Sequence, residues 1–182
     1  MSLHSHRALL FQALALAGLL AGGAAAAIKA FSLEEMARTA EGCVAGRITA
    51  REGFLLKTRE LGTLYMTRLT IQGKDLYTGA PATVKVCYFG GTVNGVTIRC
   101  STQPPDRETA PGTRVVAFHR FEKAFGVRML VAQFGGIFRI ESGSRGDVVI
   151  GKGPGMAVSR NMLLADLEAA LKAVRPAGKE GK

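Results

Sequence analysis

From Cys43 onward, apolar side chains recur at every second position in short runs, and glycine, proline, asparagine or aspartate separates one run from the next. That period is the signature of strands half-buried on a sheet, and the punctuation is that of turns. Val44, Gly46, Ile48 and Ala50 alternate against Ala45, Arg47 and Thr49. Leu64 to Gln72 is the clearest run, with Tyr65, Thr67, Leu69 and Ile71 facing one way and Met66, Arg68 and Thr70 the other. Further strands are expected at Thr83–Phe89, Val96–Cys100, Arg114–Phe118, Val127–Gln133 and Ile137–Ile140, with an edge strand at Val148–Ile150. Residues 52–63 read as a polar loop, and Pro104-Pro105-Asp106 and Ala110-Pro111-Gly112 bracket another. No helix alternates with these strands, which argues against a doubly wound parallel sheet. About six to eight short strands at regular spacing suggest a small closed or partly open barrel or a sandwich.

Helical signals flank this region. Ser32-Leu33-Glu34-Glu35 is a capping box, in which the serine oxygen accepts the N3 amide while the glutamate reaches back. Leu33, Met36, Ala37 and Ala40 follow at helical spacing, predicting a short helix over about residues 33–41 that Gly42 can end. Gly151-Lys152-Gly153-Pro154-Gly155 reads as part of a flexible hinge over residues 151–158. Beyond it, Ser159 can cap an amphipathic helix over 159–175, with Leu163, Leu164, Leu167, Ala170, Leu171 and Val174 as its apolar stripe. Residues 176–182 are a polar tail, and 28–150 form the β domain with its leading helix.

The first 27 residues read as a secretory signal peptide. Arg7 precedes an apolar run, Ala8 to Leu20, followed by small residues through Ala25-Ala26-Ala27. The run is shorter than the roughly 20 apolar residues of a spanning helix, so the expectation is an exported, periplasmic or secreted protein and not a transmembrane one. Loss of residues 1–27 from the 182 leaves 155, about one domain, and removal of Arg7 lowers the formal charge from +10 to +9. The basic residues are scattered singly, unlike the clustered basic face of a nucleic-acid reader.

Export permits disulfides, and the chain holds three cysteines, Cys43, Cys87 and Cys100. Cys87 and Cys100 flank the reversal Gly90-Gly91-Thr92-Val93-Asn94-Gly95. Folded back about Val93-Asn94 they oppose one another, and cross-strand neighbours can meet disulfide geometry. Such a bridge closes a loop of about 14 residues, for roughly 3 kcal/mol on the chain-entropy account, and leaves Cys43 free. The other reading makes both cysteines small buried hydrophobes. Gly90, Gly91, Asn94 and Gly95 are also the candidate ligand-facing loop, because glycine lets backbone approach a ligand closely; the other and favoured reading of these glycines is a turn or barrel-corner bulge that requires positive φ.

The stretch Cys43–Glu141 resembles a family of exported bacterial proteins of unassigned function built on a small OB-like β-barrel. The motifs are Val44-Ala45-Gly46-Arg47-Ile48, Tyr65-Met66-Thr67-Arg68-Leu69 and Val84-Lys85-Val86 running to Gly90-Gly91 and Gly95. Pro111-Gly112 to Phe118 and Gly136-Ile137-Phe138-Arg139-Ile140 complete the set. The resemblance implies a mostly β fold: a small antiparallel OB-like barrel with a short N-terminal and a C-terminal amphipathic helix. It brings no catalytic residues.

The residues themselves point away from catalysis. His119 is the one histidine after the signal segment, which excludes an HExxH site and a His-rich transition-metal site. Its place at a strand end reads as a solvated rim. Ser142-Gly143-Ser144 is not a nucleophile elbow, and Gly151–Gly155 lacks the lysine-Ser/Thr ending of a phosphate loop. The expectation is a non-catalytic binding module for a protein or a cell-envelope polymer, with no cofactor and no metal. Its alternatives are a regulator or inhibitor of an exported protease and an oligonucleotide-binding OB-like protein, the latter disfavoured by the scattered charge.

Overall fold

The structure, a computed structural model, describes residues 30–174; the expected signal peptide (1–27) and the expected polar tail (176–182) lie outside them. The chain order is α1 (Leu33–Thr39), β1 (Gly42–Thr58), β2 (Gly62–Asp75), β3 (Pro81–Phe89), β4 (Gly91–Val93), β5 (Val96–Ile98), α2 (Asp106–Thr109), β6 (Arg114–Glu122) and β7 (Val127–Leu130). After a 3-10 turn (Gln133–Gly136) come β8 (Ile137–Gly143), β9 (Gly146–Val149), β10 (Met162–Leu163) and α3 (Leu164–Val174).

Strands β1-β2-β3-β7-β6 form a closed five-stranded barrel, because β6 returns to pair with β1. All its pairings are antiparallel except β3–β7, joined in parallel at Cys87↔Met129. Mostly β and OB-like is therefore the observed fold. Val44, Ile48, Leu69, Ile71, Val86, Tyr88, Val115, Ala117, Leu130 and Ile137 fill the interior.

β1 is bonded on both edges. Val44–Arg47 pair with Asp75–Gln72 of β2 on one side and with Ala117–Arg114 of β6 on the other. The register shifts between Ile48 and Ala50. Such a bulge bends the strand and exchanges its faces, so Arg51, opposite Leu69, turns to the side that Ile48 occupied. Opposite the bulge's approach, Gly46 pairs with Gly73. A Cβ on Gly46 would lie 2.8 Å from Gly73 Cα, and one on Gly73 would strike the Ala45 carbonyl.

The expected loop at 52–63 is strand. β1 runs to Thr58 and turns tightly at residues 59–61, where Gly62 takes φ +69° and the Thr58 hydroxyl accepts the Leu61 amide at 2.9 Å. Phe54 and Leu56 pair with Met66 and Leu64, giving the hairpin an apolar outer face over Cys87, Met129, Phe89 and Phe125. The adjacent leucines Leu55-Leu56 hid this alternation.

β7 and β8 share one edge of β6: His119–Glu122 pair with β7 and Val115–Ala117 with β8. The step between them uses Ala132 and Gln133, both at φ 52°, and Gly136, whose Cβ would meet Val131 O. Past this step β8-β9-β10 form a shoulder that, with α1 and α3, buries the outer side of β1 and β6. Met36, Cys43, Ala45, Leu76, Val116, Phe118, Phe138, Ile140, Val149, Leu167 and Leu171 make this second core. The predicted capping box is present, with Glu35 N to Ser32 Oγ at 3.1 Å and Ser32 N to Glu35 Oε2 at 2.8 Å. α1 ends at Ala40, and Gly42 opens β1 instead of ending the helix.

Residues 151–158 are tied down where a flexible hinge was expected. Lys152 N donates to Val158 O (2.9 Å), Gly153 N to Ser159 O (3.1 Å) and Phe31 N to Gly155 O (3.1 Å), and Val158 is buried. Ser159 does not cap the last helix, because Met162-Leu163 pair first with Val149-Val148 and α3 starts only at Leu164. Lys152 fastens the segment. Its ammonium donates to Glu108 Oε2 (2.5 Å) and Phe134 O (2.6 Å) and lies 5.4 Å from the Phe134 and Phe138 ring centroids. Both side chains of the ion pair are nearly enclosed, at 11% and 8% exposure. Burial holds the Lys152 pKa below its ordinary value, against the pull of Glu108.

Removing one partner of a buried pair strands a charge, which costs about 3–5 kcal/mol, whereas replacing both by apolar groups is often neutral. Lys152→Ala is therefore expected to lose about that much stability in urea unfolding, and K152M/E108L markedly less. A loss below about 1 kcal/mol for the single variant, the value of a surface pair, would contradict the enclosed geometry.

Candidate functional site

The barrel interior is filled by side chains, so candidate binding surfaces lie on its hairpins and at its mouths. The expected ligand-facing loop is divided. Gly90 and Gly91 are buried against β2: Gly90 N donates to Tyr65 O (2.8 Å), and the Thr67 hydroxyl donates to Gly90 O (2.7 Å). A Cβ on Gly91, at φ +148°, would run into Thr67 Oγ1. These glycines serve a close crossing of backbones. Asn94 and Gly95 are exposed at a two-residue turn between Val93 and Val96, with φ +50° and +79°. Two successive positive φ values are what a type I′ hairpin turn requires, and Asn-Gly is its preferred pair.

That turn corrects the expected register. The hairpin pairs Gly91↔Ile98, Thr92↔Thr97 and Val93↔Val96, centred on Asn94-Gly95 and not on Val93-Asn94. Cys87 and Cys100 consequently do not oppose each other. Cys87 sits on β3 between Arg68 and Met129, Cys100 lies beyond β5, and all three cysteines are free thiols. Burial pushes the Cys43 thiol well up and also raises that of Cys87, which Arg68 pulls back only in part. Neither is held as a thiolate nucleophile.

The β4–β5 hairpin packs on the β1–β2 hairpin, with Thr92 O and the Val93 side chain against Gly53. Val93, Val96 and Ile98 share one face of it by pairing, while the Thr92 and Thr97 hydroxyls bond at 2.8 Å. Of the large hydrophobic side chains that stand open to solvent, Leu55 (41%), Leu61 (61%), Val96 (48%) and Ile98 (43%) belong to these two hairpins, and Phe121 to β6. Lys57, Arg59 and Arg99 are exposed beside them. On the outer sheet face Arg68 stacks on Phe54 at 4.4 Å and bonds Glu52 at 2.8 Å, and Phe89 meets Phe125 edge-on at 5.6 Å.

A second surface lies at the other mouth. There an open cleft of about 560 Å³ is lined by Glu41, Gly42, Asp75, Thr83, Val84, Lys85, His119 and Arg128. His119 is not a solvated rim residue: it is 6% exposed, and both ring nitrogens are buried without a hydrogen-bond partner. The period-two pattern contained the signal, since Val115, Ala117 and His119 share a face. Its ring takes the space over Gly42, where a Cβ would fall 2.7 Å from Nε2. Burial lowers its pKa from 6.5 to about 4; Arg128 adds to the effect, while Asp75 and Glu41 oppose it.

Among the described residues, no three His, Cys, Asp or Glu side chains are grouped to hold a metal ion, and no helix is long and apolar enough to cross a membrane. No protein-family model, no curated protein and no solved structure matches the chain.

The His119 environment carries a pH dependence. The folded state favours the neutral ring, so its stabilisation is complete above pH 6.5 and is lost as pH falls toward about 4. Each pKa unit of difference is worth about 1.4 kcal/mol, so the loss approaches roughly 3 kcal/mol. Chemical unfolding across this range is expected to show that decline in the wild type and a flatter profile in His119→Gln. Equal slopes for the two proteins would contradict it.

Proposed function

We propose that the protein is an exported, non-catalytic binding module that engages a protein partner through its β1–β2 and β4–β5 hairpins. The observation that carries this reading is the concentration of open aliphatic side chains, Leu55, Leu61, Val96 and Ile98, on two hairpins packed against each other. Exposed apolar patches with a polar border are characteristic of interaction sites. Here the border carries Lys57, Arg59 and Arg99 against Glu60, a net positive rim that favours a partner with an acidic one. The edge of β5 adds a means of attachment, because among the described residues only its other edge is bonded, to β4. Residues 1–27 support export, and regulation of an exported protease is one form that such partner binding could take.

The immobilised protein is expected to retain a partner from periplasmic extract, and V96E/I98E to lose it with an unchanged melting temperature. Surface substitutions of this kind usually alter stability by no more than about 0.5 kcal/mol. Equal recovery by both proteins would remove the hairpins from the interface, and recovery by neither would count against a partner in that compartment.

A further inference from the structure

We propose that the open edge of β5 receives an extended segment of the partner protein as an added strand, apolar on one face and acidic on the other. This rests on the hairpin reading above and names what that surface binds. In a hairpin closed by a two-residue turn, the residues flanking the turn exchange both of their backbone bonds, and bonded and unbonded pairs alternate from there. Val93 and Val96 are therefore a bonded pair, as are Gly91 and Ile98, whereas Thr92 and Thr97 face each other without backbone bonds. The amide and carbonyl of Thr92 then point out of the hairpin on the β4 side, and those of Thr97 on the β5 side. Two contacts fit this phase: a Cβ on Gly53 of β1 would lie 2.0 Å from Thr92 O, and one on Gly90 would lie 3.0 Å from Ile98 O, which turns inward. The outer side of β4 is thus covered by β1. That of β5 is open: Val96, Thr97, Ile98 and Arg99 are all exposed, and among the described residues only β4 pairs with β5.

The side chains set the class of segment. Val96 and Ile98 lie on one face of β5, and Thr97 and Arg99, by alternation, on the other. A strand added to this edge presents its own side chains to those two faces in turn, so main-chain bonds hold it and alternate residues select it. Its residues beside Val96 and Ile98 meet aliphatic surface; those on the other face meet Arg99. Among the described residues Arg99 has no ion pair or hydrogen bond, and neither have Lys57 and Arg59 on the hairpin beside it. Asp106, which lines a cleft of about 140 Å³ with Arg99, is taken up by Arg51 at 2.6 Å, which leaves Glu60 as the opposing charge of the rim. Carboxylates are therefore favoured on that face and basic side chains repelled. A second copy of this chain would set the positive rim against itself and is the poorer occupant.

The test is an NMR titration of the full chain at pH 7 with a capped hexapeptide of alternating glutamate and valine, and with its lysine–valine counterpart as comparator. The glutamate peptide is expected to shift the Thr97 and Arg99 amide signals saturably and to slow their hydrogen exchange, with the lysine peptide at least about tenfold weaker. Methylating one alternate set of its backbone amides is expected to weaken binding about tenfold and methylating the other set to leave it unchanged, because a strand bonds its neighbour along one edge only. Thr97→Pro removes a donor at a position where edge strands tolerate proline and should weaken binding to a similar degree with an unchanged melting temperature. Unmoved signals up to about 10 mM peptide, far above a millimolar dissociation constant, would overturn the proposal. So would equal affinity of the parent and both methylated peptides, equal binding of the lysine peptide, or the same shifts produced without peptide by raising the protein concentration, which would make a second copy the occupant. Partner recovery from extract that is lost in V96E/I98E but full in Thr97→Pro would overturn the added strand and leave the hairpin interface standing.

Discussion

Closure of the barrel rests on four residues of β1. Val44–Arg47 are paired along both edges, to β2 and to β6, so one short segment holds two strand neighbours that the chain reaches 25 to 31 and 67 to 73 residues later. A strand in that position must curve sharply. The bulge between Ile48 and Ala50 provides the bend, and the Gly46↔Gly73 pair allows the backbones to approach where the curvature is greatest. Side chains at either glycine would force β1 and β2 apart, and the alignment with β6 would go with them.

The same double attachment decides where function can reside. Because β1 is central, both its faces are covered: Val44 and Ile48 point into the barrel, and Cys43 and Ala45 into the second core under α1, α3 and the β8-β9-β10 shoulder. The Lys152–Glu108 pair then seals the shoulder through the Phe134 carbonyl. With the interior filled and one flank covered, the remaining surfaces are the protruding hairpins at one end and the His119 mouth at the other. The first presents aliphatic side chains to water, and the second is lined by charges of both signs.

Much of this architecture is local and was legible. The capping box places α1, and the alternations at Leu64–Gln72, Thr83–Phe89 and Arg114–Phe118 place three barrel strands. What escaped depended on distant partners or on a one-residue change of phase. The bulge at residue 49 exchanges faces, so a strict period-two reading of β1 stops there. The hairpin at Asn94-Gly95 is shifted one residue from the expected centre, which is enough to separate Cys87 from Cys100. The glycine-rich run 151–155 looks flexible by composition, yet Lys152 finds Glu108, 44 residues away, and the loop is bound. His119 shows the same limit: its face was readable from Val115 and Ala117, but its burial depends on Gly42 and on charges from other strands.

Native-state hydrogen exchange tests the account most directly, because it reads closure bond by bond. If β1 holds both neighbours, the amides of Val44–Arg47 and those of β6 opposite them should exchange slowest and together, with the free energy of global unfolding. The outer part of the β1–β2 hairpin and the β4–β5 hairpin should open at lower free energy. Exchange of β6 through a separate, lower-energy opening while β1–β2 stays protected would contradict a barrel closed by β1.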